Sequence, residues 1–71
     1  MQLTVKQYDA LEQAITRGAR IAVQRRGTEF LVIPERIALR GGRECMESRH
    51  PMTGDHLTLW LDELDALELV R

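Results

Sequence analysis

Cys45, His50 and His56 are the only cysteine and histidines in the chain, spaced C-x4-H-x5-H with Asp55 beside the last. Zinc takes about four converging donors, and this spacing matches none of the usual finger or ribbon patterns. The residues read instead as one small buried hydrophobe and two loop histidines. As a nucleophile, Cys45 would need a base and an orienting acid inside a cleft that excludes water, for which a chain of 71 residues has little room. Gly41-Gly42 precedes a strand pattern rather than a helix, so it lacks the helix N-terminus that makes glycine loops hold phosphate. The expectation is a binding module, with no enzymatic activity, no metal and no cofactor.

Binding chemistry is better supplied. From Arg17 to Arg49 eight arginines stand against four glutamates, whereas five acids from Asp55 onward stand against Arg71 alone. Net charge is −1, so a locally basic segment is followed by a locally acidic one. Arg25, Arg26, Arg40 and Arg43 flank the turns at Gly27 and Gly41-Gly42 and are candidate nucleic-acid contacts; as surface charges they equally serve solubility and protect strand edges. Trp60 alternates out of phase with Leu59 and Leu61. It is either an anchor or stacking platform for a partner, or it packs beneath the N-terminal helix.

These side chains need elements to hold them. Thr4-Val5-Lys6-Gln7 is a capping box with Leu3 and Tyr8 at the staple positions. Val5, Tyr8, Leu11 and Ile15 recur at helical spacing and Gly18 stops the run, which predicts a helix from Val5 to Arg17 with Asp9, Glu12, Gln13 and Thr16 outward. The period then becomes two. Ile21 and Val23 form a first strand. Phe30 to Ile33 reads as a strand contacted on both sides, broken or bent at Pro34, and Ile37 and Leu39 resume the alternation. Arg43 to Arg49 reads as an exposed edge or rim strand. His50 to Asp55 is a loop, Leu57, Leu59 and Leu61 face one side of a strand, Asp62-Glu63-Leu64 is a helical turn, and Leu67 to Val70 closes the chain.

The resulting fold class is mainly β with one N-terminal α-helix, in a single domain over 1–71: helix at 4–18, then a five-stranded, Sm-like or SH3-like antiparallel barrel at 19–70. The expected core is Tyr8, Leu11, Ile15, Ile21, Val23, Phe30, Val32, Ile37, Leu39, Leu57, Leu59, Leu61, Leu67 and Leu69. A hydrophobic fraction of 44% and a charged fraction of 30% are ordinary for a globular chain. With one cysteine no internal disulfide forms, and neither a signal-peptide pattern nor a membrane-length apolar run is present. The expected location is the cytoplasm.

The run Tyr8-Asp9-Ala10-Leu11-Glu12-x-Ala14, with Leu57-Thr58-Leu59-Trp60-Leu61-Asp62-Glu63-Leu64 near the C-terminus, resembles the Rof family, modulators of Rho-dependent transcription termination. That family joins a Tyr-Asp-x-Leu-Glu-x-Ala helix to an Sm-like barrel, and the likeness spans nearly the whole chain. It implies a non-enzymatic protein that binds the Rho hexamer and hinders its access to RNA. Carried over by position, its contacts are Tyr8, Asp9 and Glu12, and Trp60 joins them as a partner-binding candidate. The basic middle segment departs from the family's pattern. Arg40-Gly41-Gly42-Arg43-Glu44 with Leu59 to Leu64 is also similar to the WYL domain, whose signature tyrosine is missing here. That likeness implies a nucleic-acid or nucleotide ligand met by basic surface residues; the alternative expectation is therefore a WYL-like or Hfq-like binder that uses Arg25, Arg26, Arg40 and Arg43, as a ring or dimer paired through edge strands.

Overall fold

The computed structural model describes residues 3–70; Met1, Gln2 and Arg71 of the expected domain lie outside the described residues. Helix α1 runs Val5–Arg17, and its first turn is held as the sequence predicts. The Gln7 amide donates to Thr4 Oγ1 (3.1 Å) and the Thr4 amide donates to Gln7 Oε1 (2.9 Å). Gly18 ends the helix at φ 65°, a conformation that favours a residue without Cβ. Leu11 and Ala14 are fully buried, with Leu3 below them in the core and Tyr8 and Ile15 packed at its margin. Val5 does not belong to this stripe. At about 100° per residue it lies roughly 120° around the helix from Leu11, and it is 79% exposed beside Asp9 and Glu12.

Five strands follow: β1 Ile21–Arg25, β2 Thr28–Arg40, β3 Arg43–Arg49, β4 His56–Trp60 and β5 Ala66–Leu69, with a 3-10 turn at Leu61–Glu63 between the last two. All pairings are antiparallel, in the spatial order β4-β3-β2-β1-β5. Among the described residues β4 and β5 share no ladder, so the sheet is not closed. Two tight turns set the registers. Arg26 (φ 52°) and Gly27 (φ 79°) join β1 to β2, and Gly41 (φ 57°) and Gly42 (φ 79°) join β2 to β3. Positive φ at both central residues is the type I′ geometry that matches strand twist.

Strand β2 is one bent strand. Its first part pairs with β1 and its second with β3, and the register slips between Pro34 and Arg36, leaving Glu35 as an extra residue. One inserted residue reverses the parity of the side chains. Hence Phe30, Val32 and Pro34 face inward before the bulge, and Ile37 faces inward, opposite Met46, after it.

The core contains Leu3, Leu11, Ala14, Ile21, Val23, Val32, Met46, Leu59, Leu61, Leu64 and Leu67. Three expectations need correction, and one open alternative is decided. Leu39 is 70% exposed, because it sits at the hairpin end opposite Glu44, past the reach of the core. Leu31 is 45% exposed, so the run Phe30 to Ile33 is not covered on both sides. Strand β3 is interior, between β2 and β4, and Cys45, Met46, Glu47 and Ser48 are all buried. Trp60 is not beneath the helix: it lies half-buried on the outer face of β4, cross-strand from Cys45.

Candidate functional site

The outer face of β2, β3 and β4 carries two of the four arginines that the sequence singled out, Arg40 and Arg43, together with Arg36, Glu47, Arg49 and His56. Cross-strand pairing sets Arg36 beside Glu47 beside Thr58, Ala38 beside Cys45 beside Trp60, and Arg49 beside His56, with Arg40 opposite Arg43 at the hairpin end. Glu47, only 7% exposed, is the centre of this face. Its Oε2 accepts from Arg36 Nε at 2.7 Å and its Oε1 from Arg40 Nη2 at 2.6 Å, with His56 Nε2 3.8 Å away. The hydrogen bond from Arg36, aided by that from Arg40, holds the Glu47 carboxyl below its ordinary range against the opposing effect of burial. Arg40 is held more firmly protonated by Glu47 first and by Cys45 next.

Arg43 is fixed in two directions. Its Nε and Nη2 donate to Asp62 Oδ2 and Oδ1, both at 2.8 Å, in the bidentate geometry that suits a guanidinium and a carboxylate. Its guanidinium also stands over the Trp60 ring, 4.4 Å from the centroid, a cation–π contact that covers one face of the indole. The bonds from Arg43 keep Asp62 below the usual carboxylate range. Glu44, the next residue, accepts from the Tyr8 hydroxyl of α1, and this bond, with burial behind it, raises the Tyr8 phenol above its ordinary value. Tyr8 and Arg43 thus line one groove of about 450 Å³, together with Leu3, Glu44 and Asp62.

The other two arginines lie across the 3-10 turn. Arg25 stacks on Phe30 at 5.1 Å, and both line a groove with Arg26 and Glu63. The backbone amide of Arg26 donates to Asp65 Oδ2 at 2.9 Å. The segment from Asp62 to Asp65 therefore bridges the two hairpin tips and answers the basic segment with its own acids. Asp9 and Glu12 are different. Both stand exposed on α1, and no ion pair involves either among the described residues.

Of the partner-binding set, Tyr8, Asp9 and Glu12 share the helix, while Trp60 belongs with Arg43 on the outer sheet face. Of the arginine set, Arg40 and Arg43 occupy one hairpin tip, and Arg25 and Arg26 the other. Sequence reading missed Glu47, Asp62, Glu44 and Arg36. Their roles depend on cross-strand register and on a bulge, neither of which leaves a local pattern; the acid run after Leu61 was the one available signal.

Cys45, His50 and His56 do not converge. Cys45 is buried under the outer face, and His56 sits near Glu47 and Thr58. His50 Nδ1 accepts from the Met52 and Thr53 amides at 3.1 and 3.3 Å, which makes it the staple of its loop. Among the described residues no group of three or more histidine, cysteine, aspartate or glutamate side chains is placed to hold a metal ion, and no helix is long and apolar enough to cross a membrane. No protein-family model matches the chain, and no curated protein matches its sequence.

Proposed function

We propose that this chain is a non-enzymatic binding module whose helix α1 docks on a basic protein surface, with Tyr8, Asp9 and Glu12 as contacts. In line with the Rof resemblance, the partner is Rho or another component of the transcription and RNA machinery in the cytoplasm. One observation carries the reading: among the described residues Asp9 and Glu12 have no ion pair, whereas Glu47 and Asp62 engage the chain's own arginines. An unengaged acidic face is the kind of surface that steers and registers a positively charged partner. Exposed Val5 adds an apolar contact on the same side. The scaffold fits an Sm-like or SH3-like barrel: β2 bends at a bulge, as strands of small barrels do to close, and β4 and β5 are the two strands left at the ends.

A second reading, a nucleic-acid or nucleotide binder of WYL-like or Hfq-like type, is favoured by Arg26. This residue holds a left-handed φ of 52° in a turn where asparagine or glycine would be unstrained, which is understandable if its side chain contacts phosphate. The free edges of β4 and β5 would suit a ring or dimer of such a binder.

A pull-down of the tagged chain from native cytoplasm, with and without nuclease, separates the two. Helix docking predicts that Asp9→Lys with Glu12→Lys abolishes capture of Rho while the circular dichroism spectrum is unchanged, and that nuclease has no effect. Rho capture that survives the double reversal removes the first reading. Capture that nuclease abolishes, and that falls steeply with salt as counterion release requires, supports the second.

A further inference from the structure

We propose that the groove between α1 and β5 receives an extended, basic segment of a partner protein, added as a strand to the free edge of β5. The inference deepens the helix-docking reading and rests on it for the acidic flank. Among the described residues β5 pairs only with β1. The Val70 amide donates to the Arg20 carbonyl at 3.2 Å, and antiparallel alternation then turns the N–H and C=O of Leu67 and Leu69 away from β1, toward the open side. An edge of this kind is completed by main-chain hydrogen bonds from an incoming strand.

The edge does not stand alone. Helix α1 runs beside it and encloses a groove of about 640 Å³, with Ala10, Leu67 and Leu69 as its apolar lining and Lys6, Asp9 and Glu68 as its charges. Side chains of an added strand alternate. One set would face α1 over Ala10 and Leu69, and the other would lie beside Glu68, where cross-strand opposite charges attract. Two acids against one lysine, with neither acid ion-paired among the described residues, select a segment in which apolar and basic residues alternate.

The test is a titration of the isotopically labelled full chain with a capped peptide of alternating valine and lysine, followed by amide exchange. Control peptides carry glutamate for lysine, or proline at the central valines. The proposal expects slowed exchange at the Leu67 and Leu69 amides with the lysine peptide alone, and about tenfold weaker binding by Glu68→Lys, whose exposed position leaves the fold intact. Absence of protection at Leu67 and Leu69 would overturn it. Equal binding of the proline peptide would overturn it too, since charge alone would then suffice. Protection of these amides in the free chain, rising with a dimer in sedimentation, would assign the edge to a second copy instead. Peptide protection without capture of Rho would leave the groove standing and remove Rho; capture of Rho through Asp9 and Glu12 without peptide protection would remove the groove alone.

Discussion

Glu47 shows how much of this molecule's outer face depends on one side chain. It is nearly buried between two half-exposed arginines, so replacing its carboxylate by an amide leaves one neutral acceptor oxygen for two guanidinia and their mutual repulsion uncompensated. Its carboxyl titrates below the ordinary value of 4.5 in the folded state. A depressed carboxylate stabilises the fold above the unfolded-state pKa, and that contribution is lost as pH falls through the folded-state pKa. Asp62, also lowered by its arginine, acts in the same direction. The expected outcome is that Glu47→Gln melts below the wild type at neutral pH, and that the gap in Tm narrows as pH falls below the ordinary carboxylate value of 4.5 and through the lower folded-state value. Thermal melts by circular dichroism across that range would check it; a gap independent of pH would show that shape, not charge, is what Glu47 supplies.

At the scale of elements, the 3-10 turn and its anchor do more than join two strands. Leu64 is fully buried, and it pins the segment whose Asp62 meets Arg43 and whose Asp65 meets the Arg26 amide. Leu64→Ala should cost about 2–5 kcal/mol, against a total of about 4–11 kcal/mol for a 71-residue domain. A urea titration should show a much lower midpoint, and Arg43 should lose its ordered contact with Asp62. How far such elements can be read from sequence varies with the range of the interactions that define them. The helix was fully legible, because its caps and its end at Gly18 are local chemistry. So were both hairpin turns and the alternation of β4. The span of β3, Arg43–Arg49, was legible too, but its interior place was not: Cys45 to Ser48 lack an apolar pattern, and their burial comes from Trp60, the Arg36–Glu47–Arg40 cluster and the neighbouring strands. Val5, at the first helical position, fits the helical spacing of the apolar residues without fitting the angle of the buried stripe. Of the candidate site, the helix acids were readable, while the pairing of the arginines with Glu47 and Asp62 required a register.

For the whole molecule, charge is distributed so that the basic middle and acidic end of the chain meet each other and leave the acids of α1 facing solvent. The strand order bears on how the molecule assembles. Strands β1 to β4 form successive hairpins, each pairing with the next in the chain, whereas β5 must return to β1, so that Leu67 meets Val23 across most of the sequence. Closing a long loop is entropically unfavourable until its contacts form. The hairpins around the bent β2 should therefore make up the folding transition state, with β5 docking afterward. Stopped-flow measurements on Val32→Ala should show slowed folding, and those on Leu67→Ala should show faster unfolding with the folding rate nearly unchanged. Slowed folding by Leu67→Ala would place the β1–β5 ladder early instead. If β5 docks last, it is also the strand most readily released from the native state. The free edge that accepts a visitor would then sit on the least firmly held part of the sheet, and occupying it would lengthen the lifetime of the folded protein.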